Sequence, residues 1–290
     1  MLSIIIPTLN SEETISHCLS SIFSAYPPSE PFEVLLVDGG SKDKTLEIAC
    51  KYPVKILICK ERGIGIARNL GLREAKGRIV CFTDSDCVVE KRWLDKISDF
   101  FSKNREVDGV GGLVLWYKEE ATKLQELAGR IFVENQGFPD HEVEARMRSF
   151  DGVLFDANCA YKKNVLLSIS GFPEPVGLGH ELSWKLAQNG KILVFTPNLR
   201  VFHIFPKSLQ RLFQQQFRWG IYISILKKKY HYWNLLNELV FMVYSTTKAF
   251  LLLLDFQDLS RKILHFCQLI CWWLGQFYAL QFQDFRQIHA

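Results

Sequence analysis

The first ninety residues alternate between short, unbroken apolar runs and longer stretches whose apolar positions recur with helical spacing. Leu2 to Ile6 is the first such run, ended by Pro7, which cannot donate to a sheet ladder. Asn10, with Glu13 three residues on, predicts a helix start. Ile15, Cys18, Leu19, Ile22 and Phe23 then form one apolar stripe, closed by Pro27-Pro28. Glu33 to Val37 and Val54 to Cys59 predict two further strands. Ser41 is placed to cap the helix after the second, and Gly63 and Gly65 open the helix after the third. Arg78 to Phe82 predicts a fourth strand. Apolar strands alternating with helices predict right-handed βαβ units, a mostly parallel α/β sheet flanked by helices, and ligand binding beyond the strands' carboxyl ends.

The second half is patterned less regularly. Trp93, Leu94 and Ile97 mark a helix, and Val110 to Trp116 a strand whose Gly111-Gly112 permits close approach of backbone or ligand. Lys118 to Arg148 is charged and helical in pattern, with no legible function. Phe155 to Tyr161 predicts a strand entering a helix near Asn164, and Gly171 to Glu174 a turn. A helix from Glu181 is stopped by Gly190. Short strands at Ile192 to Phe195 and Arg200 to His203 are expected to bring Glu181 and His203 to one rim.

From about Leu235 the composition shifts, dividing the chain into a main domain, 1–225, and a hydrophobic helical region, 226–290. Two helices are expected there, about 239–254 and 263–282, joined by Asp255 to Lys262. They read as a membrane-spanning pair, as a hairpin lying in the interface, or as a pair packed on the main domain or in a dimer. Lys248, Gln268 and Gln276 weigh against spanning. Lys227 to Lys229 would satisfy the positive-inside bias with the main domain on the cytoplasmic side of a membrane.

Hydrophobic residues at 48% and charged ones at 23% are globular values and exclude a disordered chain. A net charge of +4, with basic residues clustered only at Lys227 to Lys229 and between Lys207 and Arg218, gives no reason to expect nucleic acid as a partner. The eight cysteines show no C-x-x-C and no zinc-ligand spacing, which predicts buried thiols in a reducing compartment. The N-terminus has no basic n-region and reads as a first strand, not a signal peptide.

Candidate chemistry gathers at Thr83-Asp84-Ser85-Asp86, where the fourth strand ends. Residues i and i+2 of a finishing strand share a face, so both carboxylates can turn toward one hard cation, which keeps open positions for phosphate oxygens. Taken alone, the same motif also reads as a solvated turn capping the next helix. Asp38, the Arg62 to Asn69 segment and Asp84/Asp86 all stand at carboxyl ends of predicted strands, so they should converge on one crevice. Gly63-Ile64-Gly65 is not a dinucleotide fingerprint: it follows the third strand and ends in Arg68 where glycine is needed.

Ile5-Ile6-Pro7-Thr8-Leu9-Asn10, Asp38-Gly39-x-Ser41-x-Asp43-x-Thr45, Ala67-Arg68-Asn69-x-Gly71 and Thr83-Asp84-Ser85-Asp86 together resemble, in order, the motifs of the family-two glycosyltransferases. The resemblance covers about residues 1–225 and implies a Rossmann-like GT-A fold acting on a UDP- or GDP-sugar. It also implies that Pro7, Thr8, Asn10 and Glu12 line the nucleoside pocket and that Asp38 and Gly39 bind the nucleotide. Arg68 and Asn69 would stand near the diphosphate, and Asp86 with Asp84 would hold magnesium or manganese. His203 resembles a histidine facing the metal or phosphate, with a core or surface histidine as the alternative. Gln215, Arg218 and Trp219 resemble the QxxRW motif, which lies beside acceptor and diphosphate; for Trp219, core packing or a membrane-interface anchor is equally open.

One feature departs from the family. Inverting members carry Glu-Asp and, two residues later, an acidic residue with leucine; aligning on Glu181-Leu182 puts Leu178-Gly179 where the pair should stand. The expected base is absent, and Glu181 is the candidate replacement, with His180 the other. The expected activity is metal-dependent, inverting sugar transfer to a lipid-linked or glycan hydroxyl. The alternatives are a sugar-nucleotide-binding scaffold without turnover, and nucleotidyl transfer. The latter wants a glycine-arginine loop after the first strand, where Pro7-Thr8-Leu9-Asn10 stands.

Overall fold

The computed structural model describes residues 1–24, 30–136, 143–145, 154–174, 179–229, 242, 245 and 259–279. They divide into two compact units, one within Met1–Leu115 and Gly137–Ile204, the other within Trp116–Gln136 and Phe205–Ala290.

The first unit opens with the predicted βαβ alternation: β1 (Leu2–Thr8), α1 (Ile15–Phe23), β2 (Phe32–Asp38), α2 (Thr45–Ala49), β3 (Lys55–Ile58), α3 (Ile64–Glu74) and β4 (Ile79–Phe82). These strands pair in parallel in the order β3-β2-β1-β4. Register makes their carboxyl ends level, with Thr8 opposite Asp38 and Asp38 opposite Ile58. Ile15, Cys18, Leu19 and Ile22 are the buried face of α1, as their spacing requires. Gly71 lets α3 lie against β1, since a Cβ there would come within 2.6 Å of Ile5 Cγ2.

Beyond β4 the sheet reverses direction. β5 (Cys87–Val89), α4 (Trp93–Lys103), β6 (Gly109–Trp116), β7 (Val143–Ala145), β8 (Cys159–Lys162), α6 (Lys163–Ser168), α7 (Gly179–Gln188) and β9 (Leu193–His203) complete this part of the chain, together with α5 (Lys123–Gln136) of the second unit. β8 runs antiparallel to both β4 and β6, and β9 antiparallel to β5 and β7. The order across the sheet is β3-β2-β1-β4-β8-β6-β9-β5. The two short strands expected at 192–195 and 200–203 are one strand, β9, which continues through Pro197.

Buried Asn158 ties this half together: its amide donates to Leu113 O (2.8 Å) and Leu199 O (3.1 Å) and accepts from Trp93 Nε1 (2.8 Å). Gly111 and Gly112 serve close approach of backbone, as a Cβ on Gly112 would overlap the Leu199 carbonyl. The thiols of Cys59 and Cys81 are buried in this unit, and the cysteines of the described residues are free.

The second unit contains α5, α8 (Leu209–Lys229) and α9 (Leu259–Ala279) around Ala128, Ile131, Phe205, Leu212 and Leu264. Within it α8 and α9 run parallel: Leu212 and Leu264, near their starts, share one apolar cluster, and Lys228 Nζ, near the end of α8, donates to Ala279 O at 2.9 Å. They cross so closely at Gly220 and Gly275 that a Cβ on either would overlap a backbone carbonyl of the other helix, Trp272 or Phe217. The helix expected at about 239–254 falls almost wholly outside the described residues. Among the described residues no helix is long and apolar enough to cross a membrane, so the spanning reading of 263–282 does not hold for α9. Its apolar positions are interrupted by Arg261, Lys262, His265, Gln268 and Gln276.

Candidate active site

The level ends of β1 and β2 carry two loops joined by hydrogen bonds. The Asp38 carboxylate is 1% exposed and accepts from Gly40 N (2.9 Å), Ser41 N (3.0 Å) and Ser41 Oγ (2.5 Å), so it organises the loop that follows it. Asn10, at φ 51°, donates its backbone N–H to Ser41 Oγ (2.8 Å), and its Oδ1 accepts from Lys42 N (2.8 Å). Ser11 N–H donates to Thr45 Oγ1 and Glu12 N–H to Asp43 Oδ2, while Glu12 Oε2 accepts from Lys44 N. Neither expected cap forms. Asn10 and Ser41 are used between the loops, α1 starts only at Ile15, and α2 starts at Thr45. Pro7 and Thr8 are buried at the end of β1, and Thr8 Oγ1 meets no hydrogen-bond partner among the described residues.

The loop after β4 adjoins these two, since Ser85 Oγ and Ser11 Oγ are 2.8 Å apart. Asp86 Oδ2 stands 3.3 Å from His203 Nε2, a pairing set by the register in which Cys87 faces His203. For Asp86, burial pushes the carboxyl up and the imidazole pulls it down, with the net below the ordinary carboxylate value. Burial lowers and Asp86 raises the His203 pKa, and the net is upward.

Arg68 projects from α3, is 2% exposed, and joins two carboxylates. Its Nη2 donates to Asp84 Oδ1 (3.1 Å) and its Nη1 to Asp156 Oδ2 (2.6 Å), while the guanidinium lies 5.4 Å from the Phe172 ring centroid. Burial lifts Asp84 above its ordinary value against the pull of Arg68. The amide of Asn69 is committed to the turn after α6, donating to Phe172 O and Glu174 Oε1 and accepting from Phe172 N. Glu181, on α7, is 2% exposed. Gln215, Arg218 and Trp219 belong to α8 of the second unit, where Arg218 Nε donates to Gln214 O and Trp219 is exposed.

Asp156 is the functional candidate that sequence reasoning passed over. It precedes β8, and because β8 is antiparallel to β4, a strand entry there lies on the edge where the parallel strands end. The rule that finds Asp38 and Asp84, an acid beside a buried apolar run, would have found it had the strand's direction been known.

Two carboxylates and an imidazole are a donor set suited to magnesium or manganese. Among the described residues no group of three or more His, Cys, Asp or Glu side chains is arranged to hold a metal ion. Asp86 and Asp84 are the pair of carboxylates at this edge that could face such an ion, with His203 beside Asp86.

The chain matches the profile described as glycosyl transferase family 2 over residues 3–166. The glycosyltransferase AglE of Haloferax volcanii is 30% identical over 227 residues, 75% of this chain and 71% of that one. A dolichyl N-acetyl-α-D-glucosaminyl phosphate diacetamido-dideoxy-glucuronosyltransferase of Methanococcus voltae is 24% identical, over 81% of this chain and 76% of its own. Among solved structures, the Pyrobaculum calidifontis mannosyltransferase PcManGT in complex with GDP-Man and Mn2+ superposes with a TM-score of 0.67 at 17% identity. That superposition covers 96% of this chain and 87% of the other and shows the shared GT-A-like fold. With carboxylates gathered at the carboxyl edge of such a sheet and the family profile spanning more than half the chain, the protein belongs to glycosyl transferase family 2 and is a glycosyltransferase.

Proposed function

We propose that this enzyme transfers a sugar, with inversion, from a UDP- or GDP-sugar to a lipid-linked hydroxyl, with a glycan hydroxyl as the other acceptor of the same chemistry. The observation that carries the donor assignment is the convergence of Asp38, Asp84 and Asp86 on one sheet edge, with the 8–12 and 38–45 loops bonded together beside them. In this reading the paired loops hold the nucleoside, with Pro7, Thr8, Asn10, Glu12, Asp38 and Gly39 around it. Asp86 and Asp84 would hold magnesium or manganese, and His203 fixes the Asp86 carboxylate. The bound ion would supply charge for the departing diphosphate. Arg68 keeps Asp84 oriented, and its burial makes it a positioning residue and not a phosphate ligand.

The lipid-linked acceptor is supported by the dolichyl phosphate substrate in the name of the Methanococcus relative. It is supported also by α9, which has no acidic residue and exposes Ile263, Ile270, Leu274 and Tyr278 along one face. We place this face on a membrane surface, with the catalytic unit on the cytoplasmic side.

The test is nucleoside diphosphate release from a panel of UDP-, GDP- and dTDP-sugars by the full chain with magnesium or manganese. Release from one donor, abolished by chelator and at least 100-fold lower in Asp86→Ala, is the expected result. Nucleotide binding without release from any donor would replace catalysis by a scaffold role.

A further inference from the structure

We propose that Asp156 is the carboxylate that takes the proton from the acceptor hydroxyl, with Oδ1 as the accepting atom; the inference rests on the transferase reading above. One oxygen is anchored: Oδ2 accepts from Arg68 Nη1 at 2.6 Å and from Gly179 N, the first residue of α7, at 2.8 Å. Two donors from different elements fix the plane of the carboxylate. The other oxygen, Oδ1, is buried and meets no donor among the described residues. An acceptor atom sheltered from water and left without a donor calls for an explanation, and a hydroxyl brought by a substrate supplies one.

The glycine at 179 is part of the arrangement. A Cβ there would lie 2.5 Å from Asp156 Oδ1 and 2.5 Å from Leu154 O. Residue 179 must lack a side chain for Asp156 to stand where it does. The α7 start, where Leu178-Gly179 replaces an acidic pair, is thus filled from across the gap by a carboxylate carried on a different segment.

The other acids of this edge are committed elsewhere. Asp38 holds three donors of its own loop, Asp84 is bonded to Arg68, Asp86 is paired with His203, and Glu181 is buried on α7 with a partner of its own. Arg68 relates the two functions by orienting Asp84 with one nitrogen and Asp156 with the other. Proton affinity agrees with the geometry: burial lifts the Asp156 carboxyl to about 6, opposed by Arg68 and assisted by Asp84. A group poised there is ionised at neutral pH and still basic enough to accept a proton.

In the step so assigned, the acceptor oxygen bonds to the anomeric carbon as its proton passes to Asp156 Oδ1. The bond from that carbon to the donor's phosphate oxygen breaks, and its electron pair leaves with the nucleoside diphosphate. Water takes the proton from Asp156 before the next turnover.

The test uses the donor that the wild type turns over, with water as acceptor, and reads nucleoside diphosphate release alongside UDP and GDP binding by calorimetry. Asp156→Asn keeps size and one accepting oxygen; kcat is expected to fall about 100-fold or more, with donor KM and nucleotide affinity within about threefold of wild type. Added formate should restore activity to Asp156→Gly, and the exchange of positions in the double variant Asp156→Gly/Gly179→Asp should recover at least tenfold over Asp156→Gly. A structural role would not respond to formate. Asp156→Asn with near-normal kcat overturns the proposal, as does joint loss of binding and turnover. If Asp156→Asn does not fold, the exchange decides: an active double variant supports the base and a folded, inert one overturns it. A wild type that binds nucleotide and releases none from any donor overturns the transferase reading itself, a result distinct from normal turnover in Asp156→Asn.

Discussion

Asn158 and Asp156 are two residues apart and illustrate opposite uses of a buried polar side chain. The Asn158 amide meets three partners on β6, β9 and α4, so its removal strands a Trp93 N–H and two backbone carbonyls. Asn158→Ala is expected to cost about 3 kcal/mol, read as a lower urea midpoint with an unchanged slope. At neutral pH Asp156 costs stability. Its folded pKa of about 6 lies above the ordinary 3.8, so the folded state holds a proton that the unfolded chain has released between those values. This contribution is therefore favourable below about pH 4, declines as pH rises through about 6, and is flat above; the span is about 3 kcal/mol. The stability of wild type relative to Asp156→Asn should fall by that order between pH 4 and pH 7 in urea titrations. No change across that range would place the carboxyl's proton affinity near its ordinary value.

At the scale of elements, glycines decide how closely the pieces approach. On α3, Gly71→Ala would gain about 1 kcal/mol in helix propensity. Against this stands a Cβ 2.6 Å from a methyl of Ile5, which is fully buried in a central strand and has no room to move. Overpacking of this kind costs about 1 to 3 kcal/mol, so the net expectation is a loss, measured as a lower Tm. On α8, Gly220→Leu would place a side chain on the Trp272 carbonyl and separate α8 from α9. Faster amide hydrogen exchange along α9, with exchange in β1 unchanged, is the expected signature.

The elements also mark what was legible beforehand. β1 and β2 are unbroken apolar runs because both sheet faces are covered, and the Ile15, Cys18, Leu19, Ile22 stripe of α1 is its buried face. Asn10 does not cap α1 because local capping is outcompeted by bonds to residues 41 and 42, more than thirty positions away. The pattern suggests two strands where β9 is one because Pro197 interrupts it, a penalty the sheet tolerates here. The direction of β8 is set by pairing and by nothing in its own four residues, so Asp156 had no visible address.

For the whole molecule, the apolar face of α9 gives the membrane assignment a direct test. Ile270→Asp with Leu274→Asp should reduce co-sedimentation with anionic lipid vesicles at least fivefold, because two charges would enter the interface. Hydrolysis of the donor by water should persist, since the carboxylate site lies in the other unit. Vesicle binding equal to wild type would remove the lipid surface as the occupant of that face.

The glycine that opens α7 bears on how members of this family are judged living or dead. Position 179 cannot gain an acid while 156 keeps one, because both would claim the same few cubic ångströms beside Leu154. Passage from one arrangement to the other needs paired changes, and each single change is a valley. Homologues should therefore sort into two camps, an acid at one address or at the other. A survey that scores only the first residue of this helix would miss every member whose carboxylate is carried instead by the segment before β8.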